Sequence, residues 1–155
     1  MKRLYLITLE IVPLELGQTY GTLPSHLTLM SRFTTHLSLD ELTNILEPLF
    51  VATTPIKLTF GETIALGPKQ VTAHMVESSD ERKLHEKLIT ALDASLVKYQ
   101  YPQFIGPNHK PHVTARNGVL FPPNSFHYSR AAYLIKIVDH NRLVKAKYNL
   151  NGIER

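Results

Sequence analysis

Apolar and polar positions change their spacing several times along the chain, and each change marks an element. Residues 2–9 alternate and are rich in Leu, Ile, Tyr and Thr, which predicts a half-buried strand. Gly17 to Pro24 reads as a loop, and the short apolar alternation from Ser25 to Met30 predicts a second strand. Ser38-Leu39-Asp40-Glu41 has the composition of a capping box, a serine cap with glutamate three positions on, so a helix should run from here to about Phe50. Pro55 to Leu66 and Gln70 to Glu77 are β-like runs around Gly67-Pro68-Lys69, the signature of a hairpin.

The longest helical pattern starts at Ser79-Asp80-Glu81-Arg82. Leu84, Leu88, Ala91, Leu92, Ser95 and Leu96 recur at three and four, predicting a buried stripe on a helix that ends near Tyr99, ahead of Pro102. A loop rich in Pro and Gly, Tyr101 to Pro111, leads into an alternating run from His112 to Ala115. After a second loop, Asn117 to Asn124, the runs Ser125 to Val138 and Leu143 to Leu150 predict two closing strands joined by Asp139-His140-Asn141-Arg142. Strands, helix, hairpin, helix and strands again imply an α+β fold with antiparallel sheets, not a doubly wound parallel one.

Composition narrows the chemistry. At 155 residues the chain suits one domain, residues 1–155, or two small lobes around a shared core. It has no cysteine, which removes disulfides, thiolate nucleophiles and cysteine metal sites, and is compatible with a cytoplasmic setting. The apolar start from Leu4 to Leu9 imitates a signal peptide only until Glu10, and no apolar run approaches the roughly 20 residues of a membrane span. Charge is uneven: residues 1–97 carry a net −3 and residues 98–155 a net +7. That basic part suits a phosphorylated or nucleic-acid partner, and equally a solvated basic surface.

Two segments repeat: Pro24-Ser25-His26-Leu27-Thr28-Leu29 and Lys110-Pro111-His112-Val113-Thr114-Ala115. Residues two apart on a strand share a face, so each segment projects one imidazole and one hydroxyl together and turns Leu27 or Val113 into the core. Two such strands side by side would surround a phosphate-sized space with a base, an acid and two hydrogen-bond donors. Histidine titrates near neutrality, as acid–base attack on phosphorus needs, and hydroxyls can hold the non-bridging oxygens. The bare tripeptide is less telling, because His36-Leu37-Ser38 and His127-Tyr128-Ser129 also match it; Ser38 is explained as a helix cap and His127 as a structural or surface residue.

On these segments, together with the Pro-His-Val-Thr-Ala-Arg run ending at Arg116, the chain resembles the two-histidine (2H) phosphoesterase superfamily, which includes RNA 2′-5′ ligase-like proteins and 2′,3′-cyclic nucleotide phosphodiesterases. The resemblance implies a bilobal, pseudo-twofold fold with a central cleft lined by antiparallel sheets and helices outside. It implies His26 and His112 as the acid/base pair, Thr28 and Thr114 as phosphate ligands, no cofactor, and a substrate that is an RNA end or a cyclic nucleotide. Ala115 stands where the family often has a larger apolar residue.

Arg116, Arg32 and Lys110 lie near the motifs and could neutralise phosphate; solvated charge is the alternative reading. Tyr20, Phe33 and Phe121 could stack on a base, but core packing explains them as well. His109 and His112 have a spacing found in metal-ligating pairs, although the intervening proline opposes a helix and no third ligand is placed nearby, so no metal is expected. A binding module that recognises RNA ends or nucleotides without turnover would need the same cleft. Turnover separates it from an enzyme.

Overall fold

The computed structural model describes residues 2–117 and 119–153. In chain order the strands are β1 (Arg3–Glu10), β2 (Thr19–Tyr20), β3 (His26–Thr35), β4 (Ile56–Leu66), β5 (Val71–Glu77), β6 (Lys98–Tyr99), β7 (His112–Thr114), β8 (Phe126–Ser129), β9 (Ala131–Val138) and β10 (Asn141–Asn149). Two α-helices interrupt them, α1 (Leu39–Val51) and α2 (Ser79–Asp93). All strand pairings are antiparallel and join in one sheet of order β2-β10-β9-β1-β3-β7-β5-β4-β8, with β6 against β3. The α+β expectation is met, as one continuous sheet in which two halves meet where β3 pairs β7.

Both helices pack on one face. Leu42, Leu46 and Phe50 of α1 and Leu84, Leu88 and Leu92 of α2 join Leu27, Leu29 and Val113 of the sheet in the main core. The capping box forms as expected: the Ser38 Oγ accepts from the Glu41 amide at 3.1 Å, and the Glu41 carboxylate accepts from the Ser38 amide at 3.0 Å. The opposite face of the β1 half is closed by the 11–24 segment, whose Leu14 and Leu23 cover Leu6, Tyr133 and Ile135. Strand β1 is consequently buried on both faces from Tyr5 to Leu9, not half-buried.

Several boundaries differ from the expectation. Helix α2 stops at Asp93; Ser95 and Leu96 are not part of it, and Leu96 is 92% exposed with φ +58. The left-handed turn there, with the Val97 amide donating to the Leu92 carbonyl, sends the chain back to place β6 against β3. The run Ser125 to Val138 is two strands, since β8 pairs β4 at one edge of the sheet whereas β9 pairs β1 and β10 in the other half. Periodicity cannot reveal such a crossing, because both pieces alternate in the same way. The loop predicted from Gly17 to Pro24 contains β2, which pairs β10.

Candidate active site

Where β3 meets β7, Leu27 lies opposite Val113 and both are fully buried towards the helices. Antiparallel pairing at this point sets His26 beside Thr114 and Thr28 beside His112 on the other face. The Ser25 Oγ, donating to the Thr114 carbonyl at 3.2 Å, fastens the two strands at the same level. The histidines therefore occupy one diagonal of a four-residue square and the threonines the other, with about 7–8 Å between diagonal Cα atoms. All four side chains are half-buried.

The imidazoles are held in the same way. Nδ1 of His26 lies 2.8 Å from the Pro24 carbonyl, and Nδ1 of His112 lies 3.0 Å from the Lys110 carbonyl. A carbonyl can only accept, so each Nδ1 carries the proton and donates it two residues back, leaving Nε2 as the reactive nitrogen. Neither Nε2 has a protein partner among the described residues. Burial, with the positive charges of Arg116, His112 and Arg142 nearby, pushes the His26 pKa below its usual value despite the opposing bond to Pro24.

A cavity of about 630 Å³ opens on this face. Thr28 and His112 form part of its wall, with Ile64, Leu66, Met75 and Phe104 supplying the apolar share; His26, Thr114 and Arg116 lie outside it. Lys110 is exposed on its rim, and the Ser31 Oγ is buried at its edge without a protein partner among the described residues. The Arg116 Nε is likewise buried and unpartnered among the described residues.

The sequence matches the family model of the 2′-5′ RNA ligase superfamily over residues 8–132. The chain belongs to the 2′-5′ RNA ligase superfamily. No curated protein sequence matches it. Similar solved structures include TT0787 of Thermus thermophilus, at 18% identity and TM-score 0.59, with 99% of this chain and 100% of that one covered. Escherichia coli LigT complexed with NADP+ is similar at 14% identity and TM-score 0.57, covering 97% of this chain and 99% of that one. LigT complexed with 3′-AMP gives 15% identity at the same TM-score and coverage. At such identities the likeness shows the shared fold.

Within this 2′-5′ RNA ligase superfamily member, several candidates have other tasks. Phe33 is in the core, and Phe121 stacks on Phe60 with ring centroids 4.3 Å apart. Tyr20 accepts the Glu15 amide through its hydroxyl at 3.1 Å. His127 donates from Nε2 to the Glu10 carbonyl at 3.2 Å, and His36 is exposed ahead of α1.

His109 lines the same cavity as His112, but its ring is engaged by α2: its Nε2 meets the buried Glu81 carboxylate at 2.6 Å, and it stacks on His85 with centroids 3.9 Å apart. His85 donates from Nδ1 to the Leu29 carbonyl and accepts the Gly106 amide at Nε2, so its neutral tautomer is fixed. Burial, with His109 and Arg82 nearby, pushes its pKa down to about 4. Arg82 donates to the carbonyls of Gly106 and His109. Gly106, at φ +78, thus offers both backbone groups to α2 in a conformation that favours glycine.

The leucine stripe by itself does not announce this cluster, although Glu81 and His85 sit on the same buried face. Sequence reasoning also passed over Arg142, which follows a polar turn on β10 and carries no motif. The spacing of Glu81 and His85, at i and i+4 on the leucine face, was the signal available.

Proposed function

We propose that the cleft hydrolyses a cyclic phosphodiester, a 2′,3′-cyclic phosphate at an RNA end or on a nucleotide, through acid–base catalysis by His26 and His112. The observation that carries the reading is the doubled imidazole device, with each Nδ1–H spent on a carbonyl two residues back, each Nε2 without a protein partner among the described residues, and each histidine set opposite a threonine by the strand register. NADP+ and 3′-AMP, named with LigT, are nucleotide ligands of a structural relative and support the substrate class.

His26, held in its neutral form by burial and positive neighbours, takes the base role. Its Nε2 accepts a proton from water as the water oxygen bonds to phosphorus. The bond from phosphorus to O2′ or O3′ breaks, and protonated Nε2 of His112 gives its proton to the departing oxygen. Thr28 and Thr114 donate to the non-bridging oxygens, and Arg116 offsets their charge. A 5′-hydroxyl attacking in place of water uses the same roles and forms a 2′-5′ linkage, and in the reverse cleavage of that linkage to the cyclic phosphate the histidines exchange roles by microscopic reversibility. No step requires a metal.

The test offers purified protein 2′,3′-cyclic nucleotides and short RNAs ending in cyclic phosphate, with EDTA present. Turnover should fall about 10²- to 10⁴-fold in His26→Ala and in His112→Ala. Tight binding without turnover by the unaltered protein would identify a non-catalytic RNA-end or nucleotide-binding module instead. Turnover that survives both substitutions would overturn the site.

A further inference from the structure

The two sides of the cleft differ in chemistry. On the His112 side lie Ile64, Leu66, Met75 and Phe104 with the amides of Gln103 and Asn108, a lining suited to a nucleobase. On the His26 side lie Arg32, Arg116 and Arg142.

These guanidiniums remain charged at any ordinary pH. None has a carboxylate partner: among the described residues the single ion pair is that of His109 with Glu81. Glu10, opposite His26 on β1, gives its carboxylate to the Tyr133 hydroxyl, which also accepts the Leu14 amide and so fastens the 11–24 segment.

Arg142 is fixed by donating from Nη1 to the Gly21 carbonyl at 2.8 Å and to the His140 carbonyl at 2.7 Å. Both bonds leave from one nitrogen, so Nη2 and Nε keep their protons for a ligand. Its neighbours are cations, and burial together with Arg32 and Arg116 depresses its pKa. Three like charges gathered in a part-buried place repel one another, and an anion relieves that repulsion with charge-assisted hydrogen bonds.

We propose that Arg32 and Arg142, with Arg116 between them and the histidines, form a second phosphate subsite, so that the preferred substrate carries a phosphate besides the one that reacts. Arg142 is rooted on β10, three strand spacings or roughly 14 Å from β3, so its head meets ligand groups on the β1 side of His26 and not the phosphorus between the two histidines. The nucleobase of the reacting nucleotide then enters the apolar side, and the added phosphate extends to the arginines. This inference rests on the phosphoesterase reading for the identity of the reacting group.

Calorimetry that needs no turnover tests it, comparing a nucleoside 3′-monophosphate, the corresponding 3′,5′-bisphosphate and a dinucleotide ending in a 3′-phosphate at fixed salt. The bisphosphate should bind about tenfold more tightly than the monophosphate, the gain of one good guanidinium–phosphate contact. A matching gain for the dinucleotide assigns the subsite to the diester of an RNA chain; a gain for the bisphosphate alone assigns it to a terminal monoester.

Arg142→Gln and Arg32→Gln should each reduce the advantage to less than about threefold. Arg32 makes no side-chain hydrogen bond among the described residues, so its variant guards against a disturbed turn at Gly21. Equal affinity for monophosphate and bisphosphate, or an advantage intact in both variants, overturns the subsite. An advantage present in a protein that hydrolyses no cyclic phosphate would remove the hydrolytic reading and leave the subsite standing.

Discussion

Strand β3 pairs with β1 from Arg3 opposite Thr35 to Glu10 opposite His26, so its histidine sits at the end of a long ladder. Strand β7 has three residues, one registered pair with β3 and three with β5, and its approach from Tyr101 to Pro111 has only two short 3₁₀ turns. Each histidine nevertheless makes the same bond to the carbonyl two residues back. The difference lies in the support. Backbone pairing places His26, whereas polar side chains of α2 hold the chain leading to His112, through part-buried Arg82 on the Gly106 and His109 carbonyls, buried His85 on the Gly106 amide and buried Glu81 on His109. The same local chemistry can thus be set by a ladder or by a polar cluster, and the two fail differently.

Removing the carboxylate at the centre of that cluster should give the largest effect on the fold. Glu81 is fully buried, its Oε2 bonds His109, and its Oε1 has no partner among the described residues, so Glu81→Ala leaves His109 without its anion. A loss of about 3 kcal/mol or more in denaturant unfolding is expected. Hydrogen exchange should rise over residues 106–113 and much less over 26–35, and kcat should fall with loss of His112 placement. An equal rise in both strands would erase the distinction drawn between them.

Acid should act on the same side. His85 has a folded pKa of about 4 against an ordinary 6.5, so the native state binds fewer protons than the unfolded chain between those values. Its stabilising contribution is therefore complete above about pH 6.5 and is lost as the pH falls towards 4. The full shift corresponds to at most roughly 3 kcal/mol. Urea midpoints measured from pH 7 to 4 should decline, with the loop before β7 exchanging first; a flat profile through this range would contradict the neutral, buried state of His85.

The same contrast explains what the sequence discloses. Alternation in β3 from His26 to Leu29, the capping box at Ser38 and the hairpin at Gly67 are local rules that tertiary packing left intact. His26, Thr28, His112 and Thr114 were legible because a strand's two-residue period fixes which side chains share a face, and one registered pair, Leu27 with Val113, is enough to bring them together. The support of β7 was not legible. Glu81, His85 and His109 are paired across separations that no periodicity encodes, and a buried charge on a leucine stripe becomes intelligible only once its partner from the 101–111 loop is placed on it. Arg142 was missed for the same reason, since its relation to His26 crosses the sheet from β10.

The smallest expected effect sharpens the comparison at the histidines themselves. His26 must be neutral to act as base, so the acidic limb of kcat/KM against pH should have its midpoint below the ordinary histidine value of about 6.5. Arg116 is the foremost of the positive neighbours that oppose protonation of this ring, ahead of His112 and Arg142. Arg116→Gln removes that opposition, the imidazolium becomes easier to form, and the midpoint should rise, more at low salt than when added salt screens the charge. The rate at the optimum should also fall, because Arg116 offsets phosphate charge in the proposed reaction, but the direction of the midpoint is independent of that loss. A limb whose midpoint stays in place on loss of Arg116 would show that the group titrating there lies outside the reach of this guanidinium, and would transfer the base role away from His26.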